Sequence, residues 1–205
     1  MIAKHKHLPK ATREQQIVDA ADRVLLNVGV HDFTIDKMVT YLDVAKGTIY
    51  KYYKSKDDVL AEVSVKALHV LLKYFTQAEK KEQDPLMALR KMIMAFYRFY
   101  LEHPVYFELF IYMERPDFQS AIKSYLSVSS EIKNYFTAYL VRCQADGLIK
   151  KELDPTYCTY IIWGSCMGLM NFIEAKKVFI EDIVKLKRTG LLETYSEIIV
   201  SGMSK

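Results

Sequence analysis

Apolar residues near the start of the chain recur every three to four positions, the spacing of a helix with one buried face. Ile17, Ala20, Ala21, Val24, Leu25 and Val28 form the first such stripe. Thr12, with Gln15 three residues on, reads as a capping box that opens this helix, and Gly29 supplies the left-handed residue that closes it. A second helix is predicted from Thr34, a good N-cap, with Asp36 in the first turn, where a negative charge suits the helix dipole. Ile35, Met38, Val39 and Leu42 are its buried side. Leu42, Asp43 and Val44 fit a tight turn, and a third helix is expected over 45–53. Ser55 caps a fourth, with Asp57 and Asp58 in its first turn and an apolar stripe running from Val59 to Phe75.

The remaining pattern is helix interrupted by short punctuation. Helices are predicted over 86–102, stopped by His103-Pro104, and over 105–114, stopped by Arg115-Pro116. Another is expected over 117–145, closed by Asp146-Gly147. Asp154-Pro155 opens a helix to about 175, and the last runs over 181–200 with a weak point at Thr189-Gly190. No stretch alternates with a period of two, so the expected fold class is all-α.

Three short helices with a tight turn between the second and third describe a helix-turn-helix. Such a third helix enters the major groove, where its early residues meet base edges. Ile49 and Tyr53 fall on one side and can pack inward, which leaves Lys46, Thr48, Lys51 and Tyr52 facing out. Lys donates to guanine acceptors or neutralises a phosphate, and Thr offers a hydroxyl or a methyl. Gly47 removes a side chain where the helix start approaches a sugar-phosphate backbone. The net charge is only +4, so any contact with nucleic acid depends on local placement of charge. A short basic arm, Lys4, His5, Lys6, His7 and Lys10, can add phosphate affinity or reach a minor groove.

At these residues the chain resembles a known family. Residues 13–21 followed by Gly29, then Phe33-Thr34-Ile35 and the run from Val44 to Lys56, are similar to the first helix, the helix-turn-helix and the start of the fourth helix of the TetR repressors. The match covers about 13–63. The resemblance implies an all-α fold with a three-helix DNA-binding domain at 1–55 and a larger helical ligand-binding and dimerisation domain at 56–205. It implies a homodimer on a palindromic double-stranded DNA operator, released by a small molecule. Carried over position by position, Thr34, Tyr52 and Lys56 are phosphate contacts and Tyr50 lies beside the backbone, with Lys46, Thr48 and Lys51 as base contacts. Tyr50 and Tyr53 also read as core aromatics, the favoured reading for Tyr53, and Lys54 and Lys56 as solvated surface charge, an equal alternative for Lys54. Two departures stand out: Tyr41, Leu42 and Asp43 replace the family's small residues and glycine at the turn, and Ala45 replaces its Ser or Thr.

The C-terminal two thirds are rich in aromatics and methionine. Tyr97, Tyr100, Phe107, Phe110, Tyr139, Trp163, Met167 and Met170 are the candidates for an apolar or aromatic effector pocket; the alternative is a packed helical core. Ile161, Gly164 and Gly168 share one side of a helix, and small residues at that spacing let two helices approach closely, between subunits or within one. Residues 156–173 carry no charge, yet their Thr, Ser, Cys and Asn content favours a buried soluble helix over a membrane span. Cys143, Cys158 and Cys166 lack metal or disulfide spacing and read as reduced thiols of a cytoplasmic protein. The five histidines are scattered, with no catalytic motif, so neither an enzyme nor a cofactor or metal is expected. The favoured reading is a ligand-responsive repressor. The competing one is a helical small-molecule sensor or scaffold acting without DNA.

Overall fold

The computed structural model describes residues 9–118, 120 and 122–205, so the arm residues Lys4, His5, Lys6 and His7 lie outside it. The helices are α1 (Lys10–Asp32), α2 (Ile35–Leu42), α3 (Lys46–Tyr50), α4 (Lys56–Lys80), α5 (Pro85–Glu102), α6 (Pro104–Met113), α7 (Lys123–Ala145), α8 (Pro155–Ala175) and α9 (Arg188–Met203). Among the described residues there is no strand, only an isolated antiparallel bridge between Ile149 and Ser204. The fold is all-α, as expected.

The chain divides into two compact units, one holding the chain up to Lys66 with Glu108–Tyr125, the other Ala67–Phe107 with Leu126–Lys205. The limit falls inside α4, beyond the 55/56 division read from the sequence. Side chains explain it. Tyr112 donates to Asp57 at 3.0 Å, Ser120 to Asp58 at 3.0 Å and Ser124 to Glu62 at 2.7 Å, so the first turns of α4 are bound to the segment that returns 55 to 62 residues later.

In the first unit α1 packs on α2 and α2 on α3. Ile17, Ala21, Leu25, Phe33, Met38, Ile49, Leu60 and Val63 are almost fully buried in its core. The start of α1 differs from expectation. Pro9 is its N-cap, Thr12 lies inside the helix, and Gln15 donates to Asp19 at 3.0 Å instead of closing a capping box. Gly29 has φ 76° and ψ 172°, a region open to glycine, but helical bonding resumes after it to Asp32. The expected end is therefore a kink. Thr34 caps α2 by accepting from the Lys37 N–H at 3.2 Å, and Asp43 ends it in the left-handed conformation, φ 52° and ψ 52°. Helix α3 is shorter than 45–53, although the Tyr53 N–H still donates to the Ile49 carbonyl at 3.0 Å.

In the second unit α5 packs on α8 and α9, and α8 on α9. Asp84 caps α5 and Asp154 caps α8, each followed by a proline whose missing N–H costs nothing at a first helical position. Gly147, φ 75°, closes α7 as expected, with the Leu148 N–H donating to the Cys143 carbonyl at 2.9 Å. Two boundaries move. Helix α7 starts at Lys123, not 117, because a turn closed by the Phe118 N–H on the Arg115 carbonyl and the engaged Ser120 hydroxyl hold the chain out of helix. The expected helix over 181–200 is a π-helical turn, Phe179–Ile183, followed by α9; the break falls at Lys185, φ 62°, while Thr189 and Gly190 lie within α9. No helix among the described residues is long and apolar enough to cross a membrane.

Candidate nucleic-acid interface

Helix α3 presents two unlike sides. Ile49 is fully buried and Tyr53 nearly so, while Lys46, Gly47, Tyr50 and Lys51 are exposed and Thr48 and Tyr52 half-buried. Burial also pushes the Tyr53 phenol well above its usual range, as befits a core aromatic rather than a surface contact. The turn leading into α3 survives its unusual sequence, since Asp43 takes the left-handed conformation that glycine takes more easily. Ala45 stands at the N-cap and makes no side-chain bond. Thus the family's usual cap is missing, but the geometry of the motif is intact.

The glycine of this helix owes nothing to the protein's own packing. Beyond its chain neighbours and its own helix backbone, no heavy atom lies within 4 Å of where a Cβ on Gly47 would sit. Thr34 is exposed and uses an acceptor lone pair for its cap, which leaves its O–H able to donate to an anion.

Charged side chains around this surface are organised by partners that the sequence pattern did not indicate. Lys46 Nζ lies 2.8 Å from Asp36 Oδ1, and this hydrogen bond raises the Lys46 pKa. Lys37 Nζ donates to the Asp32 carbonyl at 2.7 Å. Arg23 donates to the Tyr41 hydroxyl at 3.1 Å, joining α1 to the end of α2. These pairs join residues that share no helical face in sequence, so only the fold brings them together.

Lys56 departs most from its expected place. Its ammonium is half-buried, donates to the Val30 carbonyl at 3.4 Å, and lies 5.8 Å from the Phe33 ring centroid and 5.1 Å from that of Tyr112. Desolvation lowers its pKa. The Tyr112 ring also carries the Arg115 guanidinium at 3.5 Å, and Arg115 reaches Asp57 at 3.7 Å and Asp117 at 3.2 Å. Lys56 is thus part of the fastening between α4 and the returning segment.

The effector candidates do not form one group. Tyr97, Tyr100 and Phe107 join through ring contacts, Tyr97 to Tyr100 with centroids 5.9 Å apart and Tyr100 to Phe107 at 4.9 Å. Phe96 extends the row by contacting Phe107 at 6.2 Å and stacking on Trp163 at 5.1 Å. Tyr100 donates to Glu174, and Arg188 bonds Glu181 at 2.7 Å with Glu174 at 4.0 Å, so the row ends in a charged cluster. Burial raises the pKa of both tyrosines. Met167 and Met170 are buried on α8. Tyr139 is occupied elsewhere, donating to the Pro85 carbonyl at 2.7 Å and facing Arg142. Phe110 belongs to the first unit.

On α8, Ile161, Gly164 and Gly168 are exposed. A Cβ added at either glycine would meet nothing within 4 Å, so close packing inside one subunit does not account for them. Tyr157, Tyr160, Ile161 and Phe172 are large apolar residues exposed on the same helix.

Comparison with known proteins agrees with this geometry. Residues 17–63 match the bacterial regulatory proteins of the tetR family. Over 197 residues, 95% of this chain and 97% of the other, it is 23% identical to the fatty acid metabolism regulator protein of Bacillus subtilis (strain 168). The crystal structure of the transcriptional regulator FadR from Bacillus subtilis in complex with stearoyl-CoA superposes with a TM-score of 0.70 at 21% identity, over 92% of this chain and 98% of that one. A protein with unknown function from Rhodococcus sp. RHA1 gives 0.72 at 13% identity, over 98% and 100%. At these identities the structural likeness is one of fold.

Proposed function

We propose, on the match of residues 17–63 to the tetR family of bacterial regulatory proteins, that the chain represses transcription as a cytoplasmic homodimer on a palindromic operator, released by a small apolar or aromatic effector. The observation that carries the DNA-reading half is the two-sided α3: Ile49 and Tyr53 are buried, with Lys46, Gly47, Tyr50 and Lys51 turned to solvent. In this reading residues 1–55 read DNA and 56–205 bind the effector and dimerise. Lys46, Thr48 and Lys51 meet base edges; Thr34, Tyr52 and Lys56 meet phosphates, and Gly47 and Tyr50 lie against the backbone. For Lys56 this means keeping the long bond to Val30 and offering its two other N–H donors to an anion.

The effector belongs with the row formed by Tyr97, Tyr100, Phe107 and Trp163 and with the buried Met167 and Met170. A fatty acyl chain carried as a thioester is the form supported by the fatty acid metabolism regulator of Bacillus subtilis and by the Bacillus subtilis FadR structure with stearoyl-CoA. The open side of α8, with Ile161, Gly164 and Gly168, is the proposed dimer face. A dimer is needed mechanically because two recognition helices must reach half-sites about 34 Å apart. A ligand that prefers another spacing then lowers operator affinity by its differential affinity for the two states.

The test is a gel shift with the DNA upstream of the chain's own gene, against random DNA of equal length. Specific retardation that is lost on adding long-chain acyl-CoA is the expected result. Equal binding to both DNAs would sink the DNA-reading half, and retardation insensitive to any acyl-CoA would sink the choice of effector.

A further inference from the structure

The Asp36–Lys46 pair places a carboxylate on the surface assigned to a polyanion. The two side chains are 72% and 50% exposed, so no buried charge requires the pair. Asp36 occupies the first turn of α2, two residues after the Thr34 cap, and Lys46 opens α3, so the bond bridges the two helices of the motif at 2.8 Å.

A lysine is a point charge on a flexible four-carbon stem. Left untethered at a protein–DNA surface, it can settle on any nearby phosphate, and phosphate contacts carry no sequence information. Held by Asp36, the Lys46 ammonium is confined to one region and keeps two N–H donors for base acceptors such as guanine O6 and N7. The Asp36 carboxylate meanwhile repels phosphates that approach without a matching base contact. The same side chain therefore directs the lysine and weakens indiscriminate binding.

We propose that Asp36 is a specificity-determining, positioning residue: its ion pair with Lys46 orients that lysine toward a base edge and disfavours DNA bound through phosphates alone. This rests on α3 being the DNA-reading helix.

The test uses the full-length wild-type chain with Asp36→Asn, Asp36→Glu, Lys46→Met and the Asp36→Asn/Lys46→Met double variant. Fluorescence anisotropy gives their affinities for operator and scrambled DNA across a salt series. For Asp36→Asn, scrambled DNA should bind more tightly, with the log–log salt slope steeper by about 0.9, one phosphate contact. Operator affinity should change less, so the ratio of the two falls about tenfold, within the range of one base contact. Asp36→Glu should restore most of the ratio, and in the Lys46→Met background Asp36→Asn should change the ratio much less, by the carboxylate's own repulsion of phosphates alone. An unchanged ratio in Asp36→Asn, or an equal effect of that substitution with and without Lys46, would overturn the proposal. A wild-type chain with no operator preference would instead overturn the DNA-reading assignment, before any variant is compared.

Discussion

The Tyr112 hydroxyl donates to the Asp57 carboxylate at 3.0 Å and so joins the last turn of α6 to the first turn of α4. Arg115 covers the same ring and reaches the same carboxylate, while Lys56 lies 5.1 Å from the ring centroid. Replacing Tyr112 by Phe keeps the ring and removes one partly buried hydrogen bond, so stability should fall by about 1 kcal/mol. Urea unfolding of the two proteins side by side checks this. Arg115→Met should cost more, since it removes the cation from the ring and from Asp57 together.

Lys51 is exposed at the end of α3. Lys51→Ala should leave thermal stability unchanged within about 0.5 kcal/mol, as expected for a surface substitution. Operator binding should weaken by about 1–3 kcal/mol if the lysine donates to a guanine. Titration with labelled operator measures the loss, and a variant that binds as tightly as wild type would remove Lys51 from the interface.

The proposed dimer face can be tested without disturbing the subunit. Since a Cβ at Gly164 or Gly168 meets no atom of another element within 4 Å, Gly168→Leu should fold normally. In a close-packed helix pair the same side chain forces the helices apart. Sedimentation equilibrium should show a weakened dimer for Gly168→Leu and for Ile161→Arg, with helical content preserved.

Alkaline conditions should destabilise the protein through groups buried in neutral form. Burial pushes the Cys166 thiol up to about 12, and it likewise raises Tyr53, Tyr100, Tyr135, Tyr139 and Tyr195. A raised folded-state pKa stabilises the protonated form, so this contribution is complete below the unfolded-state value and is lost as pH climbs toward the folded one. The loss should begin near the ordinary thiol range, roughly pH 9, for Cys166 and near the ordinary phenol range, roughly pH 10, for the tyrosines, and deepen as pH rises further. Unfolding free energies measured from pH 8 to 11 should therefore fall progressively, and a flat profile would contradict the burial of these groups.

What could be read from the sequence was whatever local chemistry determines. Thr34 and Ser55 cap helices, Asp84-Pro85 and Asp154-Pro155 open them, and Gly147 closes one, because each acts on backbone groups two to four residues away. The inward pair Ile49 and Tyr53 followed from helical spacing alone. Distant partners account for the rest. Helix α7 starts late because Ser120 is bound to Asp58, and Lys56 turns inward because Tyr112 and Val30 await it. Neither partner leaves a mark on the neighbouring sequence. The effector candidates were chosen by residue type, which is why Tyr139 and Phe110 fall outside the row that Tyr97, Tyr100 and Phe107 form.

Trp163 is the only tryptophan in the chain, and it lies on the Phe96 ring within the second unit. Its intrinsic emission is thus a built-in optical probe of that unit, while the unit carrying α3 is dark at wavelengths that excite tryptophan alone. An unlabelled sample can report the proposed occupancy of the aromatic row by quenching or a spectral shift, with no signal mixed in from the side chains proposed to contact DNA. A fluorophore placed on the operator then reads the other unit independently, so effector binding and operator release can be timed against each other in one cuvette.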